Sequence, residues 1–198
     1  MPLHARTAPS HALRTVEAAL SSSHPFGQTP PSPSEPPSEP APGPELRVAA
    51  ALPLHLLPSI GDRVPSAPLT GWRFLLAGDT GPLLTADSVP SADGWAFSHF
   101  SDGPYAASAL RCLDSARTLS ATYEPRLLCV PELYMVTLWL HCPGPARDQD
   151  HLGPADLLIP LAPAPPGIAA ERPVRVDGLL PLLTHRLHPA APALLRTA

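Results

Sequence analysis

Apolar and polar positions alternate with a two-residue period along residues 71–77, where Trp72, Phe74 and Leu76 share one side, and this predicts a β-strand. The Gly78-Asp79-Thr80-Gly81 that follows tolerates positive φ, so a hairpin to a second strand over 83–89 is expected. Residues 90–94 form another turn, and Trp95, Phe97 and His99 then alternate along a third strand, completing an antiparallel meander. At Pro104 the period changes. Ala106, Ala109, Leu110, Leu113 and Ala116 recur at helical spacing and predict a helix over 104–119, entered through a proline whose missing N–H costs nothing there. Asp114 and Arg117 stand in the favourable acid-first order, with the arginine near the negative end of the helix dipole.

The densest apolar block is 123–142, and burial of its Leu, Val, Met and Trp side chains at roughly 1.5–3 kcal/mol each makes it the expected centre of the core. Pro125 and Pro131 exclude a continuous helix through its first half, so 126–130 reads as a strand. Residues 133–141 fit a strand or a helix, with Val136, Thr137, Trp139 and Tyr134 favouring the strand. A polar loop over 143–154 separates this block from a strand at 156–161. Leu179, Leu180, Leu183 and Leu187 predict a last helix over 177–188, with Pro181 tolerated in its first turn. Near the start, Ser10 can cap a short helix over 10–20 carrying Leu13, Val16 and Leu20, marginal alone and expected to form on docking. Residues 46–57 remain open between strand and helix, and Pro58, Gly61, Pro65 and Pro68 mark an irregular loop after them. The order implies an α+β domain, a mostly antiparallel sheet of about five to six short strands packed with two helices.

Composition adds an arm to this picture. The chain of 198 residues contains 31 prolines, and nine of them fall in 24–44, where Pro-Ser-Glu-Pro occurs twice in tandem at 33–36 and 37–40. Such a stretch buries too little to offset the entropy of ordering, so it is expected to be a disordered, polyproline-like tether. The chain therefore divides into a short helix with a Pro/Ser-rich linker over 1–44 and one globular domain over 45–198. Pro-x-x-Pro spacing also suits the aromatic grooves of adaptor domains, but a plain spacer is the favoured reading, because such spacing is common wherever proline is abundant.

All 13 basic residues are arginines without clustering, and the net charge is −4, which argues against nucleic acid and against an anionic membrane surface as partners. Three cysteines in no Cys-x-x-Cys pair read as buried free thiols of a reducing, cytoplasmic compartment. The start lacks a signal-peptide core; its arginines and serines, with Glu17 the one acid in the first 34 residues, leave an organelle transit peptide as the alternative.

The one local cluster with candidate chemistry is 98–105. It leaves a strand and enters the clearest helix, where backbone N–H groups and the dipole suit an anion, and Ser98, His99, Ser101 and Tyr105 are its candidate ligand-binding residues. The competing reading makes Asp102 the helix cap, Gly103 the turn and His99 a strand residue packed beside Trp95. Nucleophile elbow, phosphate loop, His-Glu-x-x-His and calcium-loop patterns do not occur, so catalytic residues are unassigned and no metal or cofactor is expected. Two functions follow: a non-catalytic interaction or assembly module with a tethering arm and a protein partner, including a homo-oligomer, or a small-molecule-binding domain or enzyme with its pocket at 98–105.

Overall fold

The computed structural model describes residues 3–22, 46–58, 60, 65–78, 83–144 and 150–187. The expected tether at 24–44 and the loop at Gly78–Gly81, apart from Gly78 itself, lie outside them. The elements run α1 (Ser10–Ser22), β1 (Arg47–Leu56), β2 (Leu69–Ala77), β3 (Leu84–Ser91), β4 (Gly94–Asp102), α2 (Pro104–Ala116), β5 (Glu124–Val130), β6 (Met135–His141), β7 (Leu157–Pro160), β8 (Val174–Arg175) and α3 (Val176–Leu187), with a 3-10 turn at Pro131–Leu133 between β5 and β6. The class is α+β as the pattern implied, but the sheet is larger and mixed. Among the described residues eight strands lie in the order β4-β3-β2-β1-β5-β6-β7-β8, and three helices cover them.

Every neighbouring pair is antiparallel except β1 and β5, which pair in parallel through Leu54–Leu127 to Leu56–Cys129. Two antiparallel meanders thus run outward from a parallel centre. A parallel pair needs a crossover, and α2 supplies it by carrying the chain from the β4 edge back to β5. The open stretch 46–57 is the ten-residue strand β1, irregular near Val48–Ala50 and Leu54–His55 and containing Pro53. The second open stretch is also a strand, β6.

Successive strand residues point to opposite faces, which sorts the helices. Phe74 packs in the cluster under α1 with Ala12 and Val16, whereas its neighbour Leu75 packs with Leu52, Ala109 and Leu113 under α2. Leu127 and Leu138 join the α2 side, while Leu128 and Trp139 pack with Val176, Leu179 and Leu183 of α3. So α1 and α3 share one face and α2 covers the other. All seven residues of β6 are buried, because α2 and α3 enclose the strand from both sides. Among the described residues no helix is long and apolar enough to cross a membrane.

Candidate functional site

The junction at 98–105 is built differently from either sequence reading. The pairing of β4 with β3 slips between Phe97 and His99, so Ser98 is the extra residue of a bulge. Past the bulge the alternation inverts: Trp95, Phe97 and Phe100 face α1, while His99 pairs with Asp87 on the opposite face. His99 therefore does not pack beside Trp95. Its Nε2 lies 3.9 Å from Asp87 Oδ2, and its Nδ1 is 3.0 Å from Ser98 Oγ. Asp87 is itself held by Arg73, whose Nε and Nη2 donate to the two carboxylate oxygens at 2.8 and 2.7 Å. Burial works against the Arg73 cation, but this bidentate pair outweighs it and raises its pKa.

Asp102 does not cap α2. The N-cap is Gly103, at φ 138°, with no side-chain cap bond, and Asp102 is the exposed last residue of β4 opposite Leu84. That φ favours glycine, which explains the residue better than a capping turn does. Ser101 offers its backbone carbonyl to Thr85 Oγ1 at 3.4 Å, and the Tyr105 hydroxyl donates to the Tyr134 carbonyl at 2.7 Å. The structure thus brings Ser98 and His99 together, adds Arg73 and Asp87, and engages Ser101 and Tyr105 in separate bonds. Cross-strand partners depend on register, so a single sequence could not have paired Arg73 with Asp87.

A second polar group, absent from the sequence reading, lies inside the α3 face. Asp156, wholly buried, accepts from Trp139 Nε1 at 2.9 Å, Cys142 N at 2.9 Å, Gly153 N at 2.8 Å and His141 Nδ1 at 3.3 Å. Burial alone would raise its pKa, but these donors together hold it below the usual carboxylate value. Arg126, equally buried, donates from Nε to Glu124 Oε1 at 2.9 Å and stacks 4.8 Å over the Trp139 ring. His55 stands edge-on to the same ring, 5.1 Å between centroids. Its Nδ1 is 2.7 Å from the Ala67 carbonyl and so carries the proton, which leaves Nε2 as a buried acceptor without a hydrogen-bond partner. Burial lowers the pKa of His55, with Arg126 adding to the effect, so the ring is neutral. Residues 65–67 and 150–152 pair with each other beside this group, Ala67 N donating to Asp150 O at 2.6 Å.

The cysteines are free thiols, Cys112 buried and Cys129 and Cys142 half-buried. Burial pushes the pKa of Cys112 and Cys129 up, the opposite of an activated nucleophile. Cys112 lines a small cavity of about 120 Å³ beside the Arg111–Glu171 ion pair. Among the described residues no group of three or more His, Cys, Asp and Glu is placed to hold a metal ion.

A broad concave surface lies beside α1. Ala12 and Val16, four residues apart, are 0% exposed against Trp72, Phe74, Leu76, Leu84 and Ala86. His11 Nδ1 accepts from the Trp95 N–H at 3.3 Å, and Gly94 (φ 113°) makes room, since a Cβ there would lie 2.9 Å from that nitrogen. Beside the helix, Leu13, Leu20, Leu46, Val48, Ala51 and Phe74 line an apolar groove of about 550 Å³, rimmed by Glu17 and Arg47. Comparison of the chain with family models, with curated proteins and with solved structures returns no match.

Proposed function

We propose that this protein is a non-catalytic interaction and assembly module whose working surface is the apolar face of β2, β3 and β4. The observation that carries this reading is the way that face is closed. Its wide aromatic floor meets α1 through only two wholly buried side chains, Ala12 and Val16, and a groove of about 550 Å³ remains alongside. An apolar groove that accepts one face of an amphipathic helix is a recurrent mode of peptide recognition. The carboxylates Asp156, Asp87 and Glu171 are each engaged within the chain, Asp156 by four donors, Asp87 by Arg73, and Glu171 by Ser108 and Arg111.

The test uses the full chain carrying Val16→Asp, which places a charge where the floor is apolar and so drives α1 off the face. A labelled peptide of residues 3–22 should then bind this variant saturably, and the same peptide with Val16→Asp should not. Absence of saturable binding, with the sheet intact by circular dichroism, would overturn the reading. If Val16→Asp prevents folding, Val16→Ala weakens the contact by two carbons only and allows the same titration.

A further inference from the structure

We propose that the arm formed by residues 3–22 exchanges between copies of this chain, so that two molecules dock α1 reciprocally on each other's β2–β3–β4 face. This rests on the helix-accepting reading of that face and names its partner as a second copy. The partner contact is already visible within one chain: Ala12 and Val16 on the aromatic floor, His11 on the Trp95 N–H, and, at the far end of the arm, the His4 N–H on the Tyr123 carbonyl at 2.9 Å. A second copy offers the identical surface, so exchange needs no new complementarity.

What makes the exchange specific to this arm is the length of its connection. Leu20 and Leu46 line the same groove, so the chain leaves and re-enters within the width of one cavity. Joining them are the 23 residues 23–45. Fully extended, such a stretch reaches about 75–80 Å, several times what the contact within one chain requires. The effective concentration of a tethered ligand falls roughly as the −3/2 power of tether length once the span is exceeded. The surplus length therefore weakens the hold of each domain on its own arm and lets the arm reach a neighbour. At an effective concentration on the order of mM for a tethered ligand, closed monomers dominate in dilute solution and reciprocal dimers gather where the chain is locally concentrated.

The experiment mixes tagged and untagged full chains at about 1 mM, near that effective concentration, and measures mixed dimers by pull-down and light scattering after rapid dilution. Mixed dimers are expected for the wild type and should be lost in Val16→Asp, or reduced in Val16→Ala if the charged variant does not fold. A chain lacking residues 29–41 keeps a ten-residue connection, long enough to close on itself. By the same scaling its dimer yield should fall about 3.5-fold per arm, or about 12-fold for the reciprocal pair. Dimers that survive Val16→Asp undiminished would overturn the proposal, because another surface would then join the copies. Absence of mixed dimers at about 1 mM would overturn it too. Peptide 3–22 binding the Val16→Asp chain without mixed dimers defeats exchange and leaves the helix-accepting face standing, whereas no peptide binding defeats both.

Discussion

The two halves of the sheet follow one plan, a helix and then four strands stepping outward from the centre, with α1 and α2 on opposite faces. They differ in how the helix is tied. The second helix is threaded at both ends, from Gly103 at its start into the turn at 117–123 that leads to β5. The first reaches β1 through residues 23–46. The same architecture thus joins α2 to its strands by short turns at both ends and α1 to its sheet by a long connection, and a helix closed at both ends by short turns leaves only if its strands come apart. The covering differs as well. Strand β6 is buried from both faces, whereas the α2-side surface of β2, β3 and β4 carries the Arg73–Asp87 pair and the half-exposed ring of His99.

The largest effect expected from this contrast lies in the second half. Trp139→Ala should cost about 3–5 kcal/mol in chemical denaturation, since it opens a cavity between β6 and α3 and removes one donor to Asp156. A loss under about 1 kcal/mol would mean that this half is not the cooperative core. In the first half, Val16→Ala removes two carbons and should cost about 1.5 kcal/mol. Its signature is regional: hydrogen exchange should accelerate along α1 and leave β6 protected. Equal acceleration in β6 would show that the halves open together.

A pH titration separates the halves by chemistry. His55 has a lowered folded pKa, so below the ordinary 6.5 the unfolded chain binds a proton that the folded chain refuses. Stability should therefore fall as pH drops below 6.5 and level off beneath the folded value. His55→Gln should flatten that slope in urea melts at pH 5–7, and an unchanged slope would reassign it to another group. Asp156 titrates in the opposite sense of charge, and its contribution is present above the ordinary 3.8 and disappears as pH falls through its lowered folded value. The smallest effect belongs to Asp102→Ala. With Gly103 at the N-cap and no side-chain bond, the change should stay within about 0.5 kcal/mol, whereas a true cap would cost about 1 kcal/mol.

The meander over β2, β3 and β4 was legible because Trp72, Phe74 and Leu76 share the α1 face, although Leu75 between them is equally buried on the α2 side. The helix α2 was legible through its alanines and leucines, and α3 through Leu179 and Leu183. Strand β6 was ambiguous for a physical reason: a strand covered on both faces shows an unbroken apolar run, as a buried helix does. The parallel pairing of β1 with β5 joins residues over 70 positions apart and leaves no local trace. At the candidate site the residue types were visible but their sides were not, because the single extra residue at Ser98 turned His99 away from Trp95. Asp156 and Arg126 were hidden by their ordinariness, one acid in a loop and one base in a strand.

The bond from the Trp95 N–H to His11 also bears on the outer edge of the sheet. Strand β4 is the long outer edge of the sheet, and outer edges invite further strands from other molecules. Opposite Trp95 stands Pro90, which has no N–H to give, so this step of the ladder is thin on its inner side as well. The helix that occupies the apolar face thereby also stoppers the first step of the rim. Any molecule whose arm is absent leaves the Trp95 N–H open on that rim, next to Phe97 and Phe100. In a reciprocal pair each Trp95 N–H meets the neighbour's His11 instead, and that step is closed again.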